Sequence, residues 1–150
     1  MLVWGGISKQ GATPLVVFSG IMNSTFYQNE ILLNGLKLFG DEVFPAGYRM
    51  YQDNDPKHTS KSTQAFMLEK NINWWRSPAE SPDLNPIENL WAEMKHYVSS
   101  IAKPQTKAEL EDAILAFWET VTPQKCQRYI NHIHKVIPKV IECAGCATGF

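Results

Sequence analysis

Four prolines divide the middle of the chain into short pieces and so limit how it can fold. Pro56 comes after the apolar-alternating run Tyr48–Asp53, and Pro78, Pro82 and Pro86 fall within nine residues. Proline lacks a backbone N–H and disfavours helical backbone in the residue before it. A strand is therefore expected to end at Asp53, the later prolines to form a loop, and a helix to start at Pro86.

Hydrophobic periodicity predicts the elements around these prolines. The first half is predicted to contain a hairpin over 2–20 bent at Gly5 and Gly6, a helix over 24–39 capped by Ser24, a strand over 48–53, a helix over 59–70 and a strand over 72–75. The second half is predicted to contain a helix over 86–102 capped by Asn85, followed by helices over 106–140. A Thr106–Glu109 capping box is expected to start the first of these helices, and Pro138 is expected to kink or end the last. At 150 residues, this pattern predicts one mixed α/β domain with helices on its faces.

Charge and cysteine content argue against several classes of protein. Lys and Arg number 14 against 15 Asp and Glu, so the basic excess of a stand-alone nucleic-acid-binding protein is absent. No apolar run approaches the roughly 18 residues of a membrane span, and the start MLVWGGISKQ has no signal-peptide pattern. We expect a soluble intracellular protein without a membrane partner. The 3 cysteines argue against a disulfide framework.

Two carboxylates are candidates for chemistry. Asp53 ends a predicted strand, where open α/β sheets place their ligands, although it or Asp55 could instead only shape an Asx turn. Glu88 follows Asn85 by three residues, so it could be only one half of a helix cap. Two carboxylates on two rigid elements could together hold a divalent metal ion.

Three further features have an ordinary and a functional interpretation. His58 is expected at the surface beside a helix start, with phosphate contact as the alternative. The tryptophans Trp74, Trp75 and Trp91 are expected in the core, although Trp75 with Arg76 could stack on a base. Metal-ligand spacing also occurs near the end of the chain, where zinc is the alternative to a frayed tail with incidental cysteines; the candidate ligands are Cys143, Cys146, His132 and His134.

Two motifs together resemble the catalytic domain of Tc/mariner-type transposases, members of the DDE/D superfamily. They are QDNDPKHTS and SPDLNPIENLWAEMK, and thirty-four residues separate Asp53 from Glu88, which matches the family's spacing between its second and third acidic ligands. The flanking pieces MLVWGGIS, FSGIMN, INWW and GCATGF agree, so the resemblance covers essentially the whole chain. It implies a ribonuclease-H-like mixed sheet flanked by helices.

The resemblance also implies a chemistry. Three carboxylates of such enzymes hold two Mg²⁺ ions, with Mn²⁺ as a substitute, for cleavage and strand transfer of DNA. Asp53 matches the second ligand and Glu88 the third. The implied partners are transposon ends and target DNA, together with further copies of the chain, and the implied location is the nucleus.

The first acidic ligand of the family lies on a strand upstream of the MLVWGGIS segment, where this sequence starts. We therefore expect a fragment without the first, central strand, inactive by itself; Asp41 and Glu42 are no replacement. The strand at 48–53 is expected to show an unpaired edge unless the hairpin pairs with it. The alternative function is a non-enzymatic module that binds DNA or protein through its C-terminal helices.

Overall fold

The structure, a computed structural model, describes residues 1–76 and 84–143, which form two compact units. The first unit takes residues 1–6 and 13–76, and the second takes residues 7–12 and 84–143. The proline-rich segment predicted to be a loop lies largely outside the described residues. None of the described helices combines the length and the apolar character that crossing a membrane requires.

The predicted hairpin over 2–20 is two short ladders. β1 (Leu2–Trp4) pairs antiparallel with β4 (Val16–Phe18) in the first unit, and β2 (Ile7–Ser8) pairs antiparallel with β3 (Gly11–Ala12) in the second. The break comes at Gly5 and Gly6, where the sequence predicts a bend, because the Gly6 N–H donates to the Thr13 hydroxyl at 2.8 Å and leaves the ladder.

Three helical segments follow without interruption: α1 (Ser24–Phe26), a π-helical segment (Tyr27–Lys37) and α2 (Leu38–Val43). The N-cap is Asn23, not the predicted Ser24, because the Asn23 Oδ1 accepts the Phe26 N–H at 2.8 Å. A Cβ at Gly35 would stand 3.3 Å from the Trp4 ring, so glycine lets the hairpin approach the helix closely.

A parallel strand pair completes the first unit. β5 (Arg49–Gln52) pairs in parallel with β6 (Asn73–Arg76), and among the described strands it pairs with no other. Parallel strands need a crossover, which α3 (Pro56–Thr59) and α4 (Lys61–Glu69) supply. The single helix predicted over 59–70 is divided because Ser60 adopts extended backbone and its hydroxyl caps α4.

The core of the first unit lies between the helical segments and β5. Its buried side chains come from the π-helical segment, β5, α4 and the approach to β6: Tyr27, Ile31, Leu32, Leu36, Met50, Met67 and Ile72. Burial of large apolar side chains stabilises each by roughly 1.5–3 kcal/mol, so this cluster fixes the place where β5 ends.

The second unit is mainly helical. It contains α5 (Ile87–His96), a π-helical segment (Tyr97–Ala102), α6 (Lys107–Glu119) and α7 (Pro123–Glu142). The predicted capping box at the start of α6 is confirmed. Pro138 does not end α7, which continues to Glu142.

Polar and aromatic contacts join α5 to the later helices. The rings of Trp91 and Trp118 stack with centroids 5.3 Å apart. The Glu93 carboxylate accepts hydrogen bonds from the Lys125 ammonium at 2.7 Å and from the Tyr129 hydroxyl. The second unit therefore has its own core, around the fully buried Leu90 and Cys126.

Candidate functional site

Asp53 directly follows β5, at the carboxyl end of the parallel pair. Met50 and Gln52 are buried while Arg49 and Tyr51 are exposed, so the strand alternates and Asp53 falls on the exposed side. The Asp53 side chain is 61% exposed. The sequence predicts a position at the carboxyl end of a strand, and the parallel pairing of β5 with β6 makes that end suit ligand binding.

The residues after Asp53 form a tight turn. The Asp53 Oδ1 accepts the Asp55 N–H at 3.1 Å, which is the Asx turn considered as the ordinary alternative. Asp55 then caps α3, because its Oδ1 accepts the Lys57 N–H at 2.8 Å. Pro56 occupies the first helical position, where its fixed backbone angle is favourable. The turn leads the chain back toward Asp53, so turn formation and ligand binding are compatible roles for this carboxylate.

His58 is buried, and its predicted surface position is wrong. The side chain is 11% exposed, and its Nδ1 lies 2.5 Å from the Asp53 Oδ1. A carboxylate only accepts hydrogen bonds, so this contact assigns the hydrogen to Nδ1. The imidazole ring stacks on the Tyr27 ring, with centroids 4.2 Å apart and an interplanar angle of 29°.

Tyr27 joins this histidine back to the strand. The Tyr27 side chain is fully buried, and its hydroxyl donates to the Gln52 Oε1 at 2.5 Å. Among the described residues, no group hydrogen-bonds to the Gln52 Nε2 or the His58 Nε2, although both atoms are buried. The contacts therefore run from Asp53 to His58, from His58 to Tyr27 and from Tyr27 to Gln52, which is the residue next to Asp53.

The pKa values in this cluster follow from its contacts. The hydrogen bond from His58 lowers the pKa of Asp53 against an opposing effect of burial, and the Asp55 N–H lowers it further. Burial raises the pKa of Asp55, but the hydrogen bonds from Lys57 outweigh it, so the net direction is downward. Burial, and then the charges of Asp53 and Asp55, raise the pKa of Tyr27. At neutral pH the two carboxylates are ionised and the phenol keeps its hydrogen.

Glu88 lies in the first turn of α5, and its side chain is exposed. The helix starts one residue later than predicted. Pro86 is the N-cap, and no side chain of the described residues caps the helix, so the predicted capping by the Asn85 side chain is wrong; instead the Asn85 carbonyl accepts the Glu88 N–H at 3.0 Å. Glu88 belongs to the second compact unit and Asp53 to the first. Their pairing in one metal site stays a prediction.

Asp53 and Glu88, taken one at a time, are the type of ligand that a hard divalent cation prefers. Both are carboxylates with exposed side chains, and Mg²⁺ and Mn²⁺ prefer oxygen ligands. No group of the described residues hydrogen-bonds to the Asp53 Oδ2, so this oxygen is available to a cation. Within residues 1–76 and 84–143, no group of three His, Cys, Asp or Glu side chains is placed to hold a metal ion.

Two other sequence features have different outcomes. Trp75 is 60% exposed, so its predicted core position is wrong; the Arg49 guanidinium lies 5.0 Å from its ring centroid, which is a cation–π contact on the exposed face of the strand pair. The zinc alternative stays a prediction, because Cys146 lies outside the described residues, and Cys143 is half-buried with its thiol donating to the Val140 carbonyl.

Comparison with known proteins gives a consistent result. The model of one family, described as DDE superfamily endonuclease, matches residues 1–111. The chain is 32% identical over 146 residues to the Tc3 transposase of Caenorhabditis elegans, which covers 97% of this chain and 44% of that protein. It is 29% identical over 153 residues to the Tc1 transposase of Caenorhabditis elegans, which covers 100% of this chain and 54% of that protein. The chain thus spans about half the length of the curated relatives it matches.

Solved structures agree on the fold. The catalytic domain of Mos1 transposase, in a structure with raltegravir and Mg, superposes with a TM-score of 0.82 at 19% identity and covers 97% of this chain and 74% of that chain. The Mos1 paired-end complex with the left transposon end gives a TM-score of 0.79 at 21% identity and covers 95% of this chain and 42% of that chain. The predicted ribonuclease-H-like α/β fold is confirmed.

Proposed function

Because the chain belongs to the DDE superfamily endonucleases, in the Tc/mariner transposase group, we propose that it is part of a catalytic domain that cleaves DNA and transfers its strands during transposition. One observation carries this proposal. Asp53 presents an ionised, exposed carboxylate at the carboxyl end of a parallel strand pair, inside the range that the family model matches.

Asp53 and Glu88 are the residues that would hold a divalent cation, Mg²⁺ or Mn²⁺. Such ions, when bound, activate the attacking oxygen and stabilise the leaving oxygen of an in-line phosphodiester displacement. The contribution of the protein is to present charged oxygens from fixed positions. Asp53 offers Oδ2 from a strand end, and Glu88 offers its carboxylate from the first turn of α5.

We further propose that residues 1–150 alone supply two of the three carboxylates that the chemistry needs. A polypeptide of these residues is therefore expected to leave supercoiled DNA that carries the element's ends intact in Mg²⁺ or Mn²⁺. A gel assay that separates nicked from supercoiled plasmid checks this. Nicking that requires metal and disappears on Asp53→Asn would contradict the prediction that residues 1–150 are inactive alone. It would still support the proposed endonuclease function.

The partners in this proposal are transposon ends and target DNA, and the location is the nucleus, where chromosomal DNA is found. Support for DNA as a partner comes from the Mos1 neighbour solved as a paired-end complex with a transposon end. Association between copies of the chain is also proposed, because the second edge of β5 is unpaired among the described strands and such edges pair with other strands.

A second candidate function, DNA binding without catalysis, is favoured by the charge of α7. This helix carries four cationic residues against one acidic residue, Glu142, whereas α6 carries four acidic residues against one cationic residue, Lys107. The cations of α7 follow one another at spacings of three, seven and four residues, which place them on one side of a helix as a stripe consisting of Lys125, Arg128, Lys135 and Lys139. An overall charge of −1 therefore conceals a local basic surface that suits a phosphate backbone.

Two members of this stripe, Arg128 and Lys135, are exposed and form no ion pair or hydrogen bond with any residue that the structure describes. Reversing both charges, in Arg128→Glu/Lys135→Glu, is expected to weaken binding of duplex DNA without regard to sequence. The slope of log affinity against log salt should fall by about two, because each phosphate contact contributes about one. Fluorescence anisotropy of a labelled duplex at several salt concentrations measures this.

The matched control is Lys61→Glu/Lys95→Glu, which changes the net charge equally at exposed positions outside the stripe. Equal losses in the two double variants would show a general charge effect and exclude a binding surface on α7. If DNA affinity depends on the stripe but not on metal, Asp53 or Glu88, binding is separate from the proposed catalytic role.

A further inference from the structure

The carboxylate of Asp53 is held more firmly than its exposure suggests. A side chain that is 61% exposed normally rotates about two bonds in water. Here Oδ1 accepts hydrogen bonds from two groups, the Asp55 N–H at 3.1 Å and the His58 Nδ1 at 2.5 Å. Both contacts engage the same oxygen, and so the other oxygen points away from its protein partners.

His58 is itself fixed in place from two directions. Its ring is buried and stacks on the fully buried Tyr27 ring. The short helix that carries it is tied to α4, because the buried Thr63 hydroxyl donates to the Lys57 carbonyl at 2.9 Å. A donor whose ring and backbone are both restrained can select one orientation of its acceptor.

Tyr27 extends the restraint to the strand. Its hydroxyl bonds to Gln52, the residue immediately before Asp53, while its ring supports the imidazole that bonds to Asp53. One buried side chain, Tyr27, therefore restrains both the residue before Asp53 and the imidazole that bonds to Asp53. This arrangement lowers the stability of the fold, because two polar atoms, Gln52 Nε2 and His58 Nε2, are buried without a partner among the described residues.

We propose that His58 is a positioning residue that holds Asp53 with Oδ1 toward the protein and Oδ2 toward a bound divalent cation. This inference rests on the proposed function, because it takes Asp53 as a metal ligand. Residues that hydrogen-bond to a ligating side chain fix its orientation, and their loss typically weakens metal binding about 10- to 100-fold. His58 stands in that relation to Asp53.

The experiment compares His58→Leu with His58→Asn in the 150-residue chain. Leucine fills space but cannot donate a hydrogen bond, whereas the Asn amide nitrogen occupies the place of the imidazole Nδ1, one bond beyond Cγ. The first readout needs no metal: three-bond NMR couplings report the χ1 rotamer of Asp53. The second is Mn²⁺ alone, titrated while the broadening of the amides of Asn54 and Asp55 is followed.

We expect one Asp53 rotamer in the native chain and in His58→Asn, and averaging among rotamers in His58→Leu. The apparent Mn²⁺ affinity should fall about 10- to 100-fold in His58→Leu and be largely kept in His58→Asn. Hydrogen exchange of the β5 amides checks that each variant keeps the fold.

Two results would overturn the proposal. One is a single Asp53 rotamer and native Mn²⁺ affinity in His58→Leu; the other is an equal loss in both variants, which would make His58 a packing residue only. Failure of the proposed function is recognised separately. In that case the native chain keeps one Asp53 rotamer that His58→Leu releases, yet Mn²⁺ broadens no amide near Asp53.

Discussion

Replacing Asp53 with asparagine is expected to remove Mn²⁺ binding at the end of β5, and with it any DNA cleavage to which this chain contributes. An amide oxygen carries no charge and is a much weaker ligand for a hard cation than a carboxylate. The fold should survive, because the Asn Oδ1 can still accept the Asp55 N–H that closes the turn. Loss of Mn²⁺-induced broadening at the amides of Asn54 and Asp55, with native hydrogen exchange in β5, is the expected result.

Asp41→Asn is the matched control. Asp41 lies in the same unit, its side chain is 56% exposed, and it pairs with Lys37 in a surface ion pair of little energetic value. This variant should bind Mn²⁺ as the native chain does. Native-like Mn²⁺ binding by Asp53→Asn would show that another group holds the ion and would remove Asp53 from the proposed metal site.

The same titration addresses the pairing of Asp53 with Glu88 in solution. If both carboxylates hold one ion, Glu88→Gln weakens Mn²⁺-induced broadening near Asp53, although Glu88 lies in the other compact unit. If Glu88→Gln changes nothing at Asn54 and Asp55, the two carboxylates act separately. The outcome for Glu88 leaves the conclusion about Asp53 itself untouched.

Local sequence chemistry was enough to predict the place of Asp53. The alternation of Tyr48–Asp53 and the stop at Pro56 depend only on neighbouring residues, and the structure places β5 at Arg49–Gln52 with Asp53 just beyond it. The Thr106–Glu109 capping box is local for the same reason. Features whose partners lie within a few residues are the ones that a single sequence predicts well.

The contacts around Asp53 involve residues distant in the sequence, and the sequence did not predict them. The ring under His58 is that of Tyr27, in a different helical segment, and no local pattern connects the two. A signal did exist in the sequence: Asp55 as a cap and Pro56 at the first helical position force a turn that leads the chain back toward Asp53. A histidine five residues after a strand-end aspartate across such a turn is placed to contact it.

The division of the hairpin was also beyond local patterns. Gly5 and Gly6 indicate a bend, but the tip at Ile7–Ala12 joins the second unit, where the Gln127 side chain donates to the Lys9 carbonyl at 2.8 Å. That contact joins residues 118 positions apart. Trp75 is exposed for a related reason: among the described strands β5 and β6 pair only with each other, and the side chains of Arg49 and Tyr51 on β5 are exposed as well.

Tyr27→Ala is expected to destabilise the first unit most among single substitutions around this site. The side chain is fully buried, belongs to the main apolar cluster and supports the His58 ring. Truncating a buried aromatic side chain costs about 3–5 kcal/mol, a large part of the roughly 5–15 kcal/mol that holds a domain folded. Denaturant unfolding followed by hydrogen exchange of the β5 and β6 amides measures the loss in the first unit.

Tyr27→Phe separates the hydroxyl from the ring. The stacked ring stays, but the Gln52 Oε1 loses its donor, and the Nε2 of the same side chain already has no partner among the described residues. Leaving a buried polar group unsatisfied costs about 1–3 kcal/mol. Tyr48→Phe is the matched control, because the Tyr48 hydroxyl is buried without a partner among the described residues, so its removal is expected to be neutral or stabilising.

A free energy of unfolding for Tyr27→Phe equal to that of Tyr48→Phe would show that the hydroxyl bond to Gln52 contributes nothing. The expected order of stability is therefore Tyr48→Phe above Tyr27→Phe, and Tyr27→Phe above Tyr27→Ala. Because Tyr27→Phe keeps the ring against His58, it should also keep the Asp53 rotamer, whereas Tyr27→Ala should release it. The stability of the first unit would then depend on both the hydroxyl and the ring of Tyr27. The orientation of the Asp53 carboxylate would depend on the ring alone.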